Sequence, residues 1–105
     1  MITIATARKL VLAMDGIQEK PHLNNASFRY RNKILVTLDE EKQRASIKLS
    51  PEDQDVFCLV DKQIIYPVPN KWGLQGWTFV ELKLVPRAMF VDILKVAHQE
   101  FSKSK

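Results

Sequence analysis

The chain is poor in cysteine and glycine: one cysteine, Cys58, and three glycines in 105 residues. A single cysteine excludes an internal disulfide and a multi-cysteine zinc site. Cys58 lies in Val56-Phe57-Cys58-Leu59-Val60, an apolar setting in which a thiol packs as a small hydrophobe. The lack of disulfides fits a reducing cytoplasm, the location expected here. Apolar runs are short. Leu10–Met14 falls well below the ~20 residues that span a bilayer, so no membrane partner is expected. Arg8-Lys9 precede that run, but Asp15 and Glu19 follow it and no small-residue cleavage site appears, which argues against a signal peptide.

Chemistry-bearing patterns are missing too. His22 and His98 are far apart and lack metal-ligand spacing, and no H-x-x-x-H, C-x-x-C or phosphate loop is present. His22 reads as a loop residue bonded to nearby backbone, and His98 as a solvated residue of the last helix. Asp39-Glu40-Glu41 is an acidic turn rather than a paired-carboxylate site. No enzyme activity, metal or cofactor is expected.

What is present suits one globular domain: 46% apolar residues, 27% charged, and a net charge of +4. That charge permits an anionic partner without demanding one. The densest information lies in Tyr66-Pro67-Val68-Pro69-Asn70-Lys71-Trp72-Gly73-Leu74-Gln75-Gly76-Trp77, with both tryptophans and two of the glycines. The prolines impose an extended approach at a sheet edge, and Gly73 and Gly76 permit backbone angles that a side chain resists. The segment reads as a structured loop, pinned by a buried Trp72, that delivers Trp77 onto the last strand.

Periodicity supplies the other elements. A helix is expected over about 3–14, capped by Thr3 or Thr6 and closed by Gly16. Residues 18–25 read as a loop, extended at Lys20-Pro21-His22, with turn chemistry at Asn24-Asn25. Strands at 27–30 and 34–38 flank an Arg31-Asn32 turn, and 44–49 alternates again. Ser50-Pro51-Glu52-Asp53 is a strong helix start, for a helix ending near Val60. A short strand at 63–66, a strand at 77–84 and a helix opened by Pro86 complete the chain. Phe90, Ile93, Leu94, Ala97 and Phe101 form that helix's buried stripe, and Lys103 and Lys105 lie at its negative end. The order implies an α+β two-layer sandwich, an antiparallel sheet of about five strands with helices on one face.

The order and spacing of several pieces resemble the MmcQ/YjbR family of small bacterial proteins. They are Ser27-Phe28-Arg29 with Lys33-Ile34, Leu38-Asp39-Glu40, Lys48-Leu49-Ser50-Pro51-Glu52, Pro67-Val68-Pro69, and Lys71-Trp72-Gly73 with Gly76-Trp77-Thr78, together with Pro21-His22. Arg31-Asn32 stands where members often have a glycine pair. The resemblance implies one domain over 1–105 with a CyaY-like fold. It also implies the DNA-binding, "double wing" label that members carry, which is fold-level analogy. It brings no catalytic residues. A frataxin-like fold invites thoughts of iron, but the first helix lacks an acidic ridge.

Alternation sorts the strand residues onto two faces. Phe28, Tyr30, Val36, Leu38, Ala45, Ile47, Val80 and Leu82 are expected under the helices. Arg29, Leu35, Thr37, Ser46, Lys48, Phe79 and Glu81 are expected on the open face. Arg29, Lys48 and Phe79 there, with Arg31 and Lys33 at the hairpin tip, combine cations and an aromatic as nucleic-acid contact requires. Glu81 opposes it. DNA is thus the leading candidate partner of a monomer or weak homodimer. The alternative is a protein-interaction module that buries Leu35, Phe79 and Trp77 against a partner or second copy. A small-ligand site or enzyme built on the tryptophan loop has the least support. Trp72 and Trp77 are expected to be core anchors rather than stacking platforms.

Overall fold

Alternating apolar residues between Ser27 and Leu49 fold as the meander that their period of two dictates. A computed structural model describes residues 1–22 and 25–103. Its elements are α1 (Ile4–Leu12), β1 (Ile17–His22), β2 (Asn25–Tyr30), β3 (Lys33–Asp39) and β4 (Arg44–Lys48). There follow α2 (Pro51–Cys58), β5 (Ile65–Pro67), α3 (Lys71–Leu74), β6 (Trp77–Glu81) and α4 (Arg87–Lys103). The architecture is an α+β two-layer sandwich. Its open sheet has six strands in the order β1-β2-β3-β4-β6-β5, every neighbouring pair antiparallel.

The helix signals act as the sequence implies. Thr3 caps α1, its hydroxyl accepting from the Thr6 N–H at 3.1 Å. Ser50 caps α2 by accepting from the Asp53 N–H at 3.1 Å, with Pro51 next and Glu52 and Asp53 in the positive first turn. Ala7 and Val11 of α1 and Phe90, Ile93, Leu94 and Ala97 of α4 join Phe28, Val36, Leu38, Ala45, Ile47 and Val80 in one core. These strand residues share one parity, so the helices cover one face of the sheet.

Four expectations need correction. Residues 17–22 form a sixth strand rather than a loop. Pro21, opposite Ala26, has no N–H to donate, but β1 is an edge strand, where the missing donor is tolerated. Residues 71–74 form a short helix, because the Asn70 carboxamide accepts from the Trp72 N–H at 2.8 Å. The last strand stops at Glu81, whose carbonyl accepts from Leu84 and Val85 in a turn. Finally, Leu35 is fully buried rather than on the open face. The β2–β3 register pairs Phe28 with Val36 but Arg29 with Ile34, leaving Leu35 as the extra residue of a bulge. One added residue reverses the parity beyond it, so Ile34 takes the open side. The expected turn at Asn24, the side chain of His22 and the terminal Lys105 lie outside the described residues.

The tryptophan segment is fastened by close backbone packing. Gly76 has φ +107°, and a Cβ there would collide with the Leu49 carbonyl oxygen. A Cβ on Gly73 would collide with the Val68 carbonyl oxygen. Neither obstacle is a flexible side chain that could swing aside. Gly76→Ala is therefore expected to cost about 3 kcal/mol or more in urea unfolding, since strain and overpacking act together. A loss below about 1 kcal/mol would mean that this segment is not held against the start of α2.

Candidate nucleic-acid interface

The β2–β3 turn is built by two residues in left-handed conformation, Arg31 at φ 53° and Asn32 at φ 68°. Positive φ at both centres is the two-residue type I′ hairpin, which matches strand twist. Asn accepts that conformation readily, whereas Arg does so at a cost. The Arg31 guanidinium folds back over the Tyr30 ring, 5.0 Å from its centroid. Tyr30 in turn meets His98 of α4 edge-on at 5.1 Å. His98 is not merely solvated: its Nε2–H donates to the Asp15 carbonyl at 2.8 Å and ties α4 to the turn before β1.

Beside this turn lies a cleft of about 520 Å³ lined by Tyr30, Arg31, Lys33, Lys48, Leu49, Ser50, Pro51, Glu100 and Phe101. It brings together three of the five expected contact residues: Arg31, Lys33 and Lys48. Lys48 keeps the open-face parity expected of it, paired with Trp77 as Ser46 is with Phe79, but its ammonium does not stand beside Arg29. It is the last residue of β4, where the chain turns into α2, and its ammonium donates to the Gln75 carbonyl. Partial burial pushes its pKa below the ordinary value, while the Glu100 carboxylate pulls it back up. From the end of β4 its side chain thus reaches past the end of the sheet into the cleft that Glu100 and Phe101 of α4 also line.

Phe79 belongs to a second depression. A groove of about 360 Å³ on the open face is lined by Asn25, Ile34, Thr37, Ser46, Val68, Trp72, Trp77 and Phe79. Trp72 is 50% exposed and is no core anchor. The buried residue of α3 is Gly73, packed on Val68, and the indole beside it is left at the rim of the groove. Trp77 is half-buried. Phe79 is held from two sides, by the Arg44 guanidinium at 4.5 Å and by an edge-on Tyr66 ring at 5.7 Å. Arg44 donates to Glu81 at 3.0 Å, and the Tyr66 hydroxyl donates to the same carboxylate. Glu81 is therefore occupied by its neighbours, which reduces the repulsion expected from it. Arg29 lines neither depression. It lies opposite Ile34, with its Nε 3.5 Å from the Ser27 hydroxyl.

Among the described residues, no group of three His, Cys, Asp or Glu side chains is gathered for a metal ion. No helix among them is long and apolar enough to cross a membrane. Sequence reasoning missed the groove for two reasons. The bulge that exposes Ile34 leaves no composition signal, and the pairing of Trp72 with Gly73 reads equally well as a buried anchor.

No family model and no curated protein matches the chain. A solved structure does: the crystal structure of Deinococcus radiodurans protein DR2400, which carries the family-model domain DUF419. The TM-score is 0.82 at 21% identity, over 99% of this chain and 81% of that one. At that identity the likeness establishes the shared fold and nothing further.

Burial and the hydrogen bond to Glu81 raise the Tyr66 pKa above its ordinary 10.0. A raised folded pKa means that the native state holds the phenolic proton more tightly than the unfolded chain does. This stabilisation is complete below pH 10 and is lost as pH climbs through the raised value. The difference between the phenolate titrations of the wild type and Tyr66→Phe is expected to have its midpoint above 10. A midpoint at or below 10 would show that Tyr66 and Glu81 do not pair.

Proposed function

We propose that this chain is a cytoplasmic nucleic-acid-binding domain that contacts the phosphate backbone through the cleft at the β2–β3 hairpin tip. The observation that carries the reading is the convergence of Arg31, Lys33 and Lys48 on that one cleft from two separate segments. The conformation of Arg31 adds to it. A non-glycine residue at φ 53° carries a local cost, and it holds the Arg31 cation at the tip of the turn. Cations grouped at a turn meet phosphates without reading sequence, so the binding is weak and backbone-directed. The resemblance of the motif order to the MmcQ/YjbR family supports the same reading. Cys58 as the chain's single cysteine is in keeping with a reducing compartment. The alternative, a protein-interaction module, loses one of its three expected contacts, since Leu35 lies in the core.

Three phosphate contacts give a slope of log K against log salt of about −2.7 on duplex and about −2.1 on single strands. Fluorescence anisotropy of a labelled oligonucleotide at several salt concentrations measures it. Arg31→Asn keeps a residue that accepts positive φ and is expected to leave stability unchanged or raise it by up to about 1 kcal/mol. The same change should weaken binding and make the slope shallower by about 1. A flat salt response, or full affinity in Arg31→Asn, contradicts the proposal.

A further inference from the structure

We infer that the open-face groove takes unpaired bases, so that the ligand of this domain is single-stranded nucleic acid. The inference rests on the phosphate-contact reading above and adds the part of the ligand that the basic cleft leaves unread.

Four observations carry it. The groove offers two indoles, one of them half exposed at the rim, and stacking on a flat π-face suits an unpaired base whatever its identity. A duplex hides its base faces inside the stack and cannot use such a surface. The Thr37 and Ser46 hydroxyls, opposite each other on β3 and β4, and the Asn25 carboxamide give the lining donors and acceptors for base edges. The groove is also preorganised. Phe79 is clamped by Arg44 and Tyr66, and those two are fixed through Glu81, so little is lost in ordering the wall on binding.

Fourth, the groove on the open face and the cleft on the α4 side meet at the end of the sheet. Ile34 lines the groove and its neighbour Lys33 lines the cleft. Trp77 lines the groove, and Lys48, opposite it across the β4–β6 pairing, lines the cleft. Arg29 lies opposite Ile34 on the same side of the sheet as the groove. A strand with bases in the groove would thus have Arg29 on the same face and would meet Lys48, Lys33 and Arg31 as its backbone passes the end of the sheet, where phosphates need cations.

The test uses the full chain with an unstructured oligothymidylate of about 15 nucleotides, within the site sizes known for single-strand binders. Its duplex with oligodeoxyadenylate and the thymidine mononucleotide serve as comparisons, read by anisotropy and tryptophan fluorescence. The expected results are quenching by the oligonucleotide, affinity at least about tenfold weaker for the duplex, and weaker still for the mononucleotide. Trp72→Ala should weaken the single strand by roughly 5- to 100-fold, the effect of removing one base–aromatic stack, and leave the duplex unchanged. Trp72→Phe should recover part of the loss. Because Trp72 is half exposed, the Ala variant is expected to stay folded, which circular dichroism checks.

Equal affinity for strand and duplex, or a Trp72→Ala variant that binds the strand normally, overturns the inference. In that case a retained salt slope and a retained Arg31→Asn effect would leave the phosphate-contact reading standing. A mononucleotide that binds as tightly as the strand overturns the choice of a polymeric ligand. So does a stable homodimer in sedimentation that Trp72→Ala dissociates, because a second copy would then occupy the groove.

Discussion

One buried side-chain amide holds together the parts on which both surfaces depend. The two N–H bonds of Gln54 Nε2 in α2 are shared among the Gly73 carbonyl at 3.0 Å, the Trp77 carbonyl at 3.0 Å and the Thr78 hydroxyl at 3.1 Å. The Thr78 hydroxyl in turn donates to the Gly76 carbonyl at 3.0 Å, and the Leu49 N–H donates to that same carbonyl at 3.0 Å. These groups are taken from water, and each unmatched one would cost about 1–3 kcal/mol. The start of α2, the short helix α3 and the first residues of β6 are therefore locked as one unit. Trp72 and Trp77 project from that unit on the groove side, and Lys48 is tied to it through the Gln75 carbonyl on the cleft side. Glycine at 73 and 76 is the steric condition for the same lock, because both carbonyl contacts leave no room for a methyl group.

The second constraint is the bulge at Leu35. A strictly alternating β3 would put Leu35 on the open face and Ile34 in the core. The extra residue sends Leu35 into the core and Ile34 to the groove, and it places Lys33 next to the hairpin turn. Bulges of this kind redirect side chains near functional surfaces. Here one residue of slippage decides which apolar group the open face presents and where the hairpin cations point.

Much of the fold was legible in the chain. The Ser50-Pro51-Glu52-Asp53 start, the Thr3 cap, the Arg31-Asn32 turn and the α4 stripe are local signals, and local chemistry decides them. The Phe28, Val36, Leu38, Ala45, Ile47 and Val80 face followed from period two alone. β1 was not legible, because Gln18, Glu19 and Lys20 carry no apolar alternation and the strand exists through pairing with β2. The candidate site was legible in part. Arg31 and Lys33 stand at the hairpin tip, and the Lys48 side chain joins them in the cleft instead of grouping with Arg29. Phe79 stands apart from them in the groove. Trp72 misled for a physical reason: an indole next to glycine reads as buried, yet here the glycine takes the tight position and the indole is left at the surface.

On the reading proposed above, one strand of nucleic acid engages the aromatic groove and, around the end of the sheet, the basic cleft. Chemical-shift mapping of isotopically labelled protein, titrated with unstructured oligothymidylate, tests it most directly. The indole N–H signals of Trp72 and Trp77 and the backbone amides of Arg31, Lys33, Ile34 and Lys48 are expected to shift together along one binding curve. Shifts confined to the cleft, shifts centred on the exposed end of α2 around Val56 and Leu59, or no shifts at low salt would contradict it.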